Sequence, residues 1–170
     1  MLFVKMIIKY TNFSDGIHQI KFDEPVKNIG LDESFYGNVI VNCRMDKSAH
    51  QIIIDFDVDA SARLTCDRCN SEYETSLHNH FQLSYLFSKE NSRLEEYNVF
   101  YLSPDEDKID ITKDVFDYVE LAIPLKKLCK DECKGLCPHC GQNLNEGSCN
   151  CDVKVDNDIW EPLKKLKFNN

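Results

Sequence analysis

Nine cysteines are the residues of this 170-residue chain with the clearest capacity for chemistry. Eight of them form a pair and a run of six. The pair is Cys66 and Cys69, and the run is Cys129, Cys133, Cys137, Cys140, Cys149 and Cys151. Two residues between two thiolates allow both sulfur atoms to lie about 2.3 Å from one tetrahedral zinc ion. The spacing therefore predicts structural zinc, one or two ions, held by these eight thiols.

Two partitions of the eight thiols are open. The one we favour puts Cys137, Cys140, Cys149 and Cys151 in a local site and Cys66, Cys69, Cys129 and Cys133 in a second site. The alternative groups Cys129, Cys133, Cys137 and Cys140 and leaves the other four bound elsewhere or free. In the favoured partition the second site joins two distant parts of the chain, because about 60 residues separate its cysteine pairs.

The other reactive side chains suggest no catalytic role. We expect Cys43 to be a small buried hydrophobe and His78 and His80 to be solvated, and we expect His139 not to be a metal ligand. The chain contains no glycine-rich phosphate loop, no nucleophile elbow and no His-Glu-x-x-His motif. An all-thiolate zinc site leaves no open position for an activated water, so we expect a protein that is not an enzyme and has no small-molecule substrate.

Two runs of alternating apolar residues predict the element that carries the cysteine pair. Even positions are apolar across residues 52–64, and odd positions are mostly apolar across residues 73–87. Period-two alternation is typical of a half-buried strand. The two runs predict a hairpin with the cysteines at its tip. A two-residue turn at Asp67 and Arg68 would place Ile54 opposite Phe81, and a longer turn would shift the pairing by two residues.

The remaining pattern predicts an α+β fold. We expect an antiparallel sheet or partly open barrel over residues 1–124, with further strands at 3–10, 17–22, 35–43 and 97–102, a loop at 88–95 and a helix at about 111–123. Pro124 ends the helix. A cysteine-rich zinc-binding segment, 125–152, and a polar tail, 153–170, with a short amphipathic helix would complete the chain.

Charge separates the two ends of the chain. The net charge is −9, and residues 1–123 carry 12 basic and 22 acidic side chains against 8 and 7 in residues 124–170. An acidic body repels nucleic acid, so only the last part is suited to approach phosphates. Candidate partner contacts there are Lys126, Lys127, Lys130, Lys134, Lys164 and Lys165. No apolar run is long enough to span a membrane, and we expect no signal peptide and therefore a cytoplasmic protein with reduced thiols.

The C-terminal third resembles the YceD family. The resemblance lies in the Leu-Ala-Ile-Pro at 121–124, the Cys-Lys-Gly-Leu-Cys-Pro-His-Cys-Gly at 133–141, the Cys-Asn-Cys at 149–151 and, upstream, the Cys-Asp-Arg-Cys at 66–69. It extends over about residues 36–166 and implies matching roles for the eight cysteines and Arg68. Where the family often has Asp-Pro-Arg, this chain has Asn157-Asp158-Ile159-Trp160, so that arginine is missing.

The resemblance implies a role in accumulation of 23S ribosomal RNA. We therefore expect a non-catalytic factor in ribosome biogenesis that binds a ribosomal protein, the 23S rRNA precursor, or both, with Arg68 and the lysines as contacts. The alternative is a zinc-thiol redox-regulated chaperone or sensor, because zinc-bound cysteine pairs can oxidise and release their metal.

Overall fold

The structure, a computed structural model, describes residues 5–87 and 98–151, which form seven strands and two α-helices besides a single 3-10 turn at Tyr10–Asn12. In chain order these elements are β1 (Ile7–Ile8), β2 (Gly16–Pro25), α1 (Val26–Ile29), β3 (Phe35–Lys47), β4 (Gln51–Thr65), β5 (Glu72–Leu86), β6 (Val99–Tyr101), β7 (Ile109–Asp110) and α2 (Thr112–Leu121). The predicted strands at 3–10 and 97–102 are therefore shorter than expected, and those at 17–22 and 35–43 are longer.

Five of the strands form one sheet in the order β2-β3-β4-β5-β6. All neighbours are antiparallel except β5 and β6, which run parallel. Strands β1 and β7 pair antiparallel in a separate two-stranded sheet. Over the described residues the large sheet stays open and does not close into a barrel, and α2 is the one helix longer than a single turn. This architecture confirms the predicted α+β class.

One face of the large sheet carries the core. Every even position from Ile52 to Leu64 is buried, while the odd positions of β4 are exposed or half-buried. Burial of a large apolar side chain stabilises a fold by about 1.5–3 kcal/mol, so this alternation fixes which face of β4 points inward. The other face of the sheet is polar, and it carries His78 and His80 of β5 and Asp55, Asp57 and Asp59 of β4.

The hairpin has the predicted parity and the register expected for the longer turn. Phe56 lies opposite Phe81 and Ile54 lies opposite Leu83, two positions from the register of a two-residue turn. The reason is the tip: β4 ends at Thr65 and β5 starts at Glu72, which leaves six residues for the cysteine turn. The even-to-odd pairing survives because a shift of two keeps every apolar side chain on the core face.

Helix α2 packs on the core face of β4 and β5. Its buried residues are Val115 and Val119, and Tyr118 stacks on Phe81 with ring centroids 3.7 Å apart. The helix starts at Thr112, whose hydroxyl accepts a 2.8 Å hydrogen bond from the backbone of Met6. It ends at Leu121, two residues short of the predicted end. Because α2 is anchored to the sheet, the chain leaves it in a defined direction toward the cysteine-rich segment.

Some predictions concern residues outside the described ranges. The loop at 88–95 and the amphipathic helix in the tail 153–170 both lie there, together with Lys164 and Lys165. The division at residues 124 and 152 stays a prediction. None of the helices in residues 5–87 and 98–151 has the length and apolarity needed to cross a bilayer.

Candidate metal centre

The tip of the β4–β5 hairpin is a tight turn that brings two thiols together. The backbone N–H of Cys66 donates to the carbonyl of Ser71 at 2.9 Å, and that of Asn70 donates to the carbonyl of Cys66 at 2.9 Å. Asn70 adopts a left-handed conformation with φ of 56°, which asparagine tolerates better than most residues. Cys66 and Cys69 are both buried at this tip, at 1 % and 5 % exposed.

The segment that follows α2 is held against this tip by a reciprocal backbone contact. Asp67 donates its N–H to the carbonyl of Lys127 at 2.8 Å, and Lys127 donates its N–H to Asp67 Oδ2 at 2.7 Å. These bonds join residues 60 positions apart. They bring Cys129 and Cys133 next to the hairpin cysteines, which gives the first tetrad: Cys66, Cys69, Cys129 and Cys133.

The sulfur atoms of the first tetrad have the spacing of a tetrahedral metal site. All four lie within 4.8 Å of one another. Cys66 and Cys133 are 3.8 Å apart at their sulfur atoms, and Cys69 and Cys129 are 3.7 Å apart. Zinc–sulfur bonds of about 2.3 Å imply about 3.8 Å between sulfur atoms at tetrahedral angles. The donor set therefore fits zinc without rearrangement.

The second tetrad is local to the chain after Cys133. It consists of Cys137, Cys140, Cys149 and Cys151, again with all sulfur atoms within 4.8 Å. The N–H of Cys137 donates to the carbonyl of Gln142 at 2.8 Å, and that of Gly141 donates to the carbonyl of Cys137 at 2.9 Å. Gly141 has φ of 73°, a conformation that glycine adopts without strain. Cys140 is exposed and the last two cysteines are half-buried.

The structure thus groups the thiols as in the first of the two partitions. It does not bring Cys129 or Cys133 together with the second group. Two tetrads of thiols in one chain can hold two metal ions, and a set of sulfur ligands favours zinc or another thiophilic ion over magnesium or calcium.

The pKa values within each tetrad diverge. At Cys66 burial opposes ionisation, but backbone N–H donors from Cys129, Cys69 and Arg68 outweigh it and lower the pKa to about 6. Burial raises the pKa of Cys129 to about 12, and thiolate neighbours add to the effect. Four thiolates so close together repel one another, so full ionisation requires a cation among them.

The second tetrad shows the same divergence. Backbone N–H donors from Cys140 and His139 lower the pKa of Cys137 to about 6. The contact with Cys140, followed by burial, raises the pKa of Cys151 to about 12. Each tetrad therefore combines a thiol of lowered pKa with a thiol of raised pKa, and a bound cation would favour the thiolate form of both.

Arg68 connects the hairpin tip to the segment that carries Cys133. Its Nη1 atom donates to the carbonyl of Cys133 at 2.9 Å and to that of Asp131 at 3.3 Å. Its own carbonyl accepts the N–H of Leu136 at 3.2 Å. Gly135 passes so close that a Cβ atom there would lie 3.0 Å from the Arg68 carbonyl oxygen, and its φ is 75°. Arg68 is exposed, but the guanidinium that the sequence suggested as a partner contact is hydrogen-bonded to two backbone carbonyls of the same chain.

Four of the predicted lysine contacts lie on this part of the molecule. Lys126, Lys130 and Lys134 are exposed and Lys127 is half-buried. Within the described ranges none of the four forms an ion pair. They flank Cys129 and Cys133 in the sequence, whereas the polar face of the sheet carries the carboxylates of Asp55, Asp57 and Asp59.

The other candidates lie away from both tetrads. Cys43 is fully buried on β3, and burial raises its pKa to about 12, so it behaves as a hydrophobe. On the polar sheet face His78 Nδ1 lies 2.9 Å from Asp59 and His80 Nδ1 lies 2.9 Å from Asp57. In each pair the two exposed residues lie directly opposite each other on β4 and β5. His139 is exposed and belongs to neither tetrad.

The sequence patterns missed two polar residues near the tetrads. Asp67 anchors Lys127, and Asn145 contacts a cysteine sulfur of the first tetrad. The signal for Asp67 was its place inside a cysteine turn, where aspartate often accepts backbone N–H bonds. Asn145 had no such signal, because its contact joins two parts of the segment that only the fold brings together.

Comparisons with known proteins place the chain in a family. A Large ribosomal RNA subunit accumulation protein YCED homolog 1, chloroplastic, from Arabidopsis thaliana is 36% identical over 67 residues, which is 39% of this chain and 21% of that protein. The protein of the same name from Zea mays is 50% identical over 50 residues, 28% of this chain and 17% of that protein. The chain thus matches about a fifth of the length of these curated relatives.

A bacterial relative matches more of the chain. An uncharacterized protein of Mycobacterium leprae is 26% identical over 110 residues, which is 61% of this chain and 48% of that protein. No solved structure matches. The model of the family described as "Large ribosomal RNA subunit accumulation protein YceD" matches residues 54–167, and the chain therefore belongs to that family.

Proposed function

We propose that this chain is a non-catalytic factor in ribosome biogenesis that supports accumulation of 23S ribosomal RNA in the cytoplasm. In this proposal it binds a ribosomal protein, the 23S rRNA precursor, or both. The family name supports a role in large-subunit rRNA accumulation. The observation that carries the non-catalytic part is the donor set: each tetrad consists of four thiols, which leaves a zinc ion no vacant position for substrate or water.

In the proposed mechanism zinc acts as a structural clamp. Bound zinc would supply a fixed tetrahedral junction, and its ligands would be Cys66, Cys69, Cys129, Cys133, Cys137, Cys140, Cys149 and Cys151. The residues of the chain do the rest: Asp67 and Arg68 hold the segment after α2 against the hairpin by hydrogen bonds to its backbone. The clamp would present Lys126, Lys127, Lys130 and Lys134 on a rigid support.

The charge distribution supports different partners for the lysine-containing segment after α2 and for the acidic sheet. The lysines near the first tetrad are free of ion pairs within the described residues and suit rRNA phosphates. The acidic sheet body suits a basic ribosomal protein better than naked RNA. Lys164 and Lys165, which lie outside the described residues, are further candidate phosphate contacts in this proposal. Arg68 contributes less to binding in this proposal, because its guanidinium is bonded to backbone carbonyls.

The cellular test is depletion of the protein with the ratio of 23S to 16S rRNA as the readout. We expect the ratio to fall and to recover with the wild-type chain. A variant in which Cys66 and Cys69 are both serine should not restore it, whereas Cys43→Ala, which removes a thiol outside both tetrads, should restore it. An unchanged ratio on depletion would refute the proposed role.

The binding test separates RNA from protein partners. The logarithm of the affinity for a 23S rRNA fragment should fall linearly with the logarithm of salt concentration. Substituting alanine for Lys126, Lys127, Lys130 and Lys134 should reduce the slope, by roughly 0.7–0.9 for each phosphate that the protein no longer neutralises. The matched control replaces four lysines elsewhere: Lys21, Lys27, Lys108 and Lys113. Equal effects of the two sets would count against the proposed surface, and salt-insensitive capture of a ribosomal protein would favour the protein partner.

The exposure of Cys140 supports a second candidate function, a redox-regulated chaperone or sensor. An exposed, metal-bound thiolate is the most accessible to peroxide. This function predicts that peroxide releases zinc and exposes apolar surface in the same step. Zinc retention, or zinc release without binding of a hydrophobic dye, would reject it.

A further inference from the structure

Asn145 belongs to the loop of the second tetrad but contacts the first. It lies between Cys140 and Cys149, and its Nδ2 atom donates to Cys133 Sγ at 3.3 Å. Asn145 is half-buried, so water competes only partly for this bond. An N–H donor next to a thiolate stabilises its negative charge, because the bond is charge-assisted. This contact links the side chain of one site to a ligand of the other.

The orientation of the Asn145 amide is fixed by its neighbours. Its Oδ1 atom accepts the backbone N–H of Lys134 at 2.9 Å, which only an oxygen can do. The Nδ2 group therefore points the other way, to Cys133 and to Asn143 Oδ1 at 2.8 Å. The backbone N–H of Asn145 also donates to Asn143 Oδ1, at 3.0 Å. The donor facing the sulfur is thus set by a local network.

The loop that holds Asn145 lies between two ligands of the second tetrad, Cys140 and Cys149. Leu144 donates its N–H to the carbonyl of Gly135 at 2.9 Å, and Leu136 bridges to Asn143 across the same loop. Cys137 closes the turn through its bond to Gln142. A metal ion in the second tetrad would fix both ends of this loop, since Cys140 and Cys149 flank it. Loss of that metal would release the support of Asn145.

We propose that Asn145 is a positioning residue of the first metal site that couples its metal retention to occupancy of the second site. The inference rests on the metal binding proposed above. With the second site filled, Asn145 is held against Cys133 and stabilises this ligand in its thiolate form. With the second site empty, the bond is broken for most of the time and the first site loses metal faster. Partners of this kind typically change metal affinity by 10–100-fold.

The test follows the transfer of zinc from the loaded full-length protein to a coloured chelator. We expect a fast phase from the exposed second site and a slow phase from the buried first site. Asn145→Ala and the isosteric Asn145→Asp, which keeps the acceptor for Lys134 but removes the donor, should speed the slow phase by about 10–100-fold. The control, Asn150→Ala, alters an exposed asparagine beside the second tetrad and should leave the slow phase unchanged.

The coupling is tested in a background without the second site, with Cys149 and Cys151 both replaced by serine. This background alone should speed the slow phase as much as Asn145→Ala does, and adding Asn145→Ala should have little further effect. Cobalt substitution, read by its thiolate absorption bands, shows that the first site still has four sulfur ligands. Equal acceleration by Asn145→Ala in both backgrounds, or no acceleration in either, would overturn the coupling.

The same experiment separates failure of this inference from failure of metal binding. Protein purified under reducing conditions that contains no zinc contradicts the metal proposal itself. Protein with two zinc ions and a slow phase insensitive to Asn145→Asp contradicts only the role given to Asn145. Circular dichroism of each variant shows that the sheet is retained, so that accelerated release is not a result of unfolding.

Discussion

The two tetrads have the same chemistry but different relations to the fold. Three thiols of the first are at least 95 % buried, and its ligands come from the hairpin tip and from the segment after α2. In the second, Cys137 alone is buried, and all four ligands lie within 15 consecutive residues, 137–151. The difference suggests that the first tetrad joins the segment to the sheet, whereas the second shapes only the segment itself.

The largest expected effect comes from removing a ligand of the first tetrad. Cys69→Ser opens a cross-link across the 60 positions between Cys69 and Cys129. Closing such a loop lowers the entropy of the unfolded chain by an amount worth about 4 kcal/mol, so the free energy of unfolding should fall by about that much. Chemical denaturation of the zinc-loaded protein measures it. Cys149→Ser should lower the free energy of unfolding by much less. A larger decrease for Cys149→Ser than for Cys69→Ser would contradict the difference drawn between the two tetrads.

The next effect concerns the close contact between Gly135, which lies between Cys133 and Cys137, and the backbone of Arg68 at the hairpin tip. Gly135 and Gly141 both have φ near +74°, but only at Gly135 would a Cβ atom meet the backbone of Arg68, at 3.0 Å. Alanine at either position strains the backbone by about 1 kcal/mol. Gly135→Ala should also disturb the close packing against the hairpin, seen as faster hydrogen exchange at the N–H of Leu136. Equal exchange at Leu136 in the two variants would show that this packing does not stabilise the junction.

An effect of similar size is expected at Arg68. Replacing it with lysine keeps the charge but removes the planar group that bonds two carbonyls, and should lower the free energy of unfolding by about 1–2 kcal/mol. The salt dependence of RNA affinity should stay as in the wild-type protein. Lys130→Gln, which removes an exposed cation, should weaken the salt dependence of RNA affinity and leave the free energy of unfolding unchanged. A weaker salt dependence of RNA affinity for Arg68→Lys would show that Arg68 does belong to the RNA-binding surface.

The smallest effect is expected on the polar face of the sheet, away from both tetrads. His80→Gln removes the partner of Asp57 in an exposed cross-strand pair. Such exposed pairs contribute little to the free energy of unfolding. The melting temperature should therefore change by no more than about 2 °C, and the zinc content should not change. Differential scanning calorimetry with metal analysis checks both. Loss of zinc in this variant would show that the sheet face and the tetrads are not independent.

The sequence predicted most where a short-range pattern is tied to a strong physical constraint. Alternation from Ile52 to Leu64 identified β4 and its inward face, because burial permits only one parity. The spacing of the cysteines indicated the close pairs of thiols, because two or three intervening residues limit how far apart the sulfur atoms can lie, but it left two groupings of these pairs open. Helix α2 was recognisable from its apolar spacing and the proline that follows.

The parts that the sequence did not predict depend on contacts between distant residues. Alternation left two hairpin registers open, because a shift of two residues keeps the same parity. The six-residue cysteine turn, which includes the left-handed Asn70, sets the observed register. The sequence suggests only that Arg68 is a surface cation, because its bonds to the carbonyls of Asp131 and Cys133 form only in the folded chain. The parallel pairing of β6 with β5 likewise has no signal in a strand of three residues.

The most direct test of the account is a count of metal ions in each tetrad. Native mass spectrometry of the reductant-purified protein should show two zinc ions per chain. One ion should remain after Cys66 and Cys69 are changed to serine, one after Cys149 and Cys151 are changed, and none when all four changes are combined. Protein without bound metal, or the loss of both ions in each double variant, would contradict two separate four-thiolate sites.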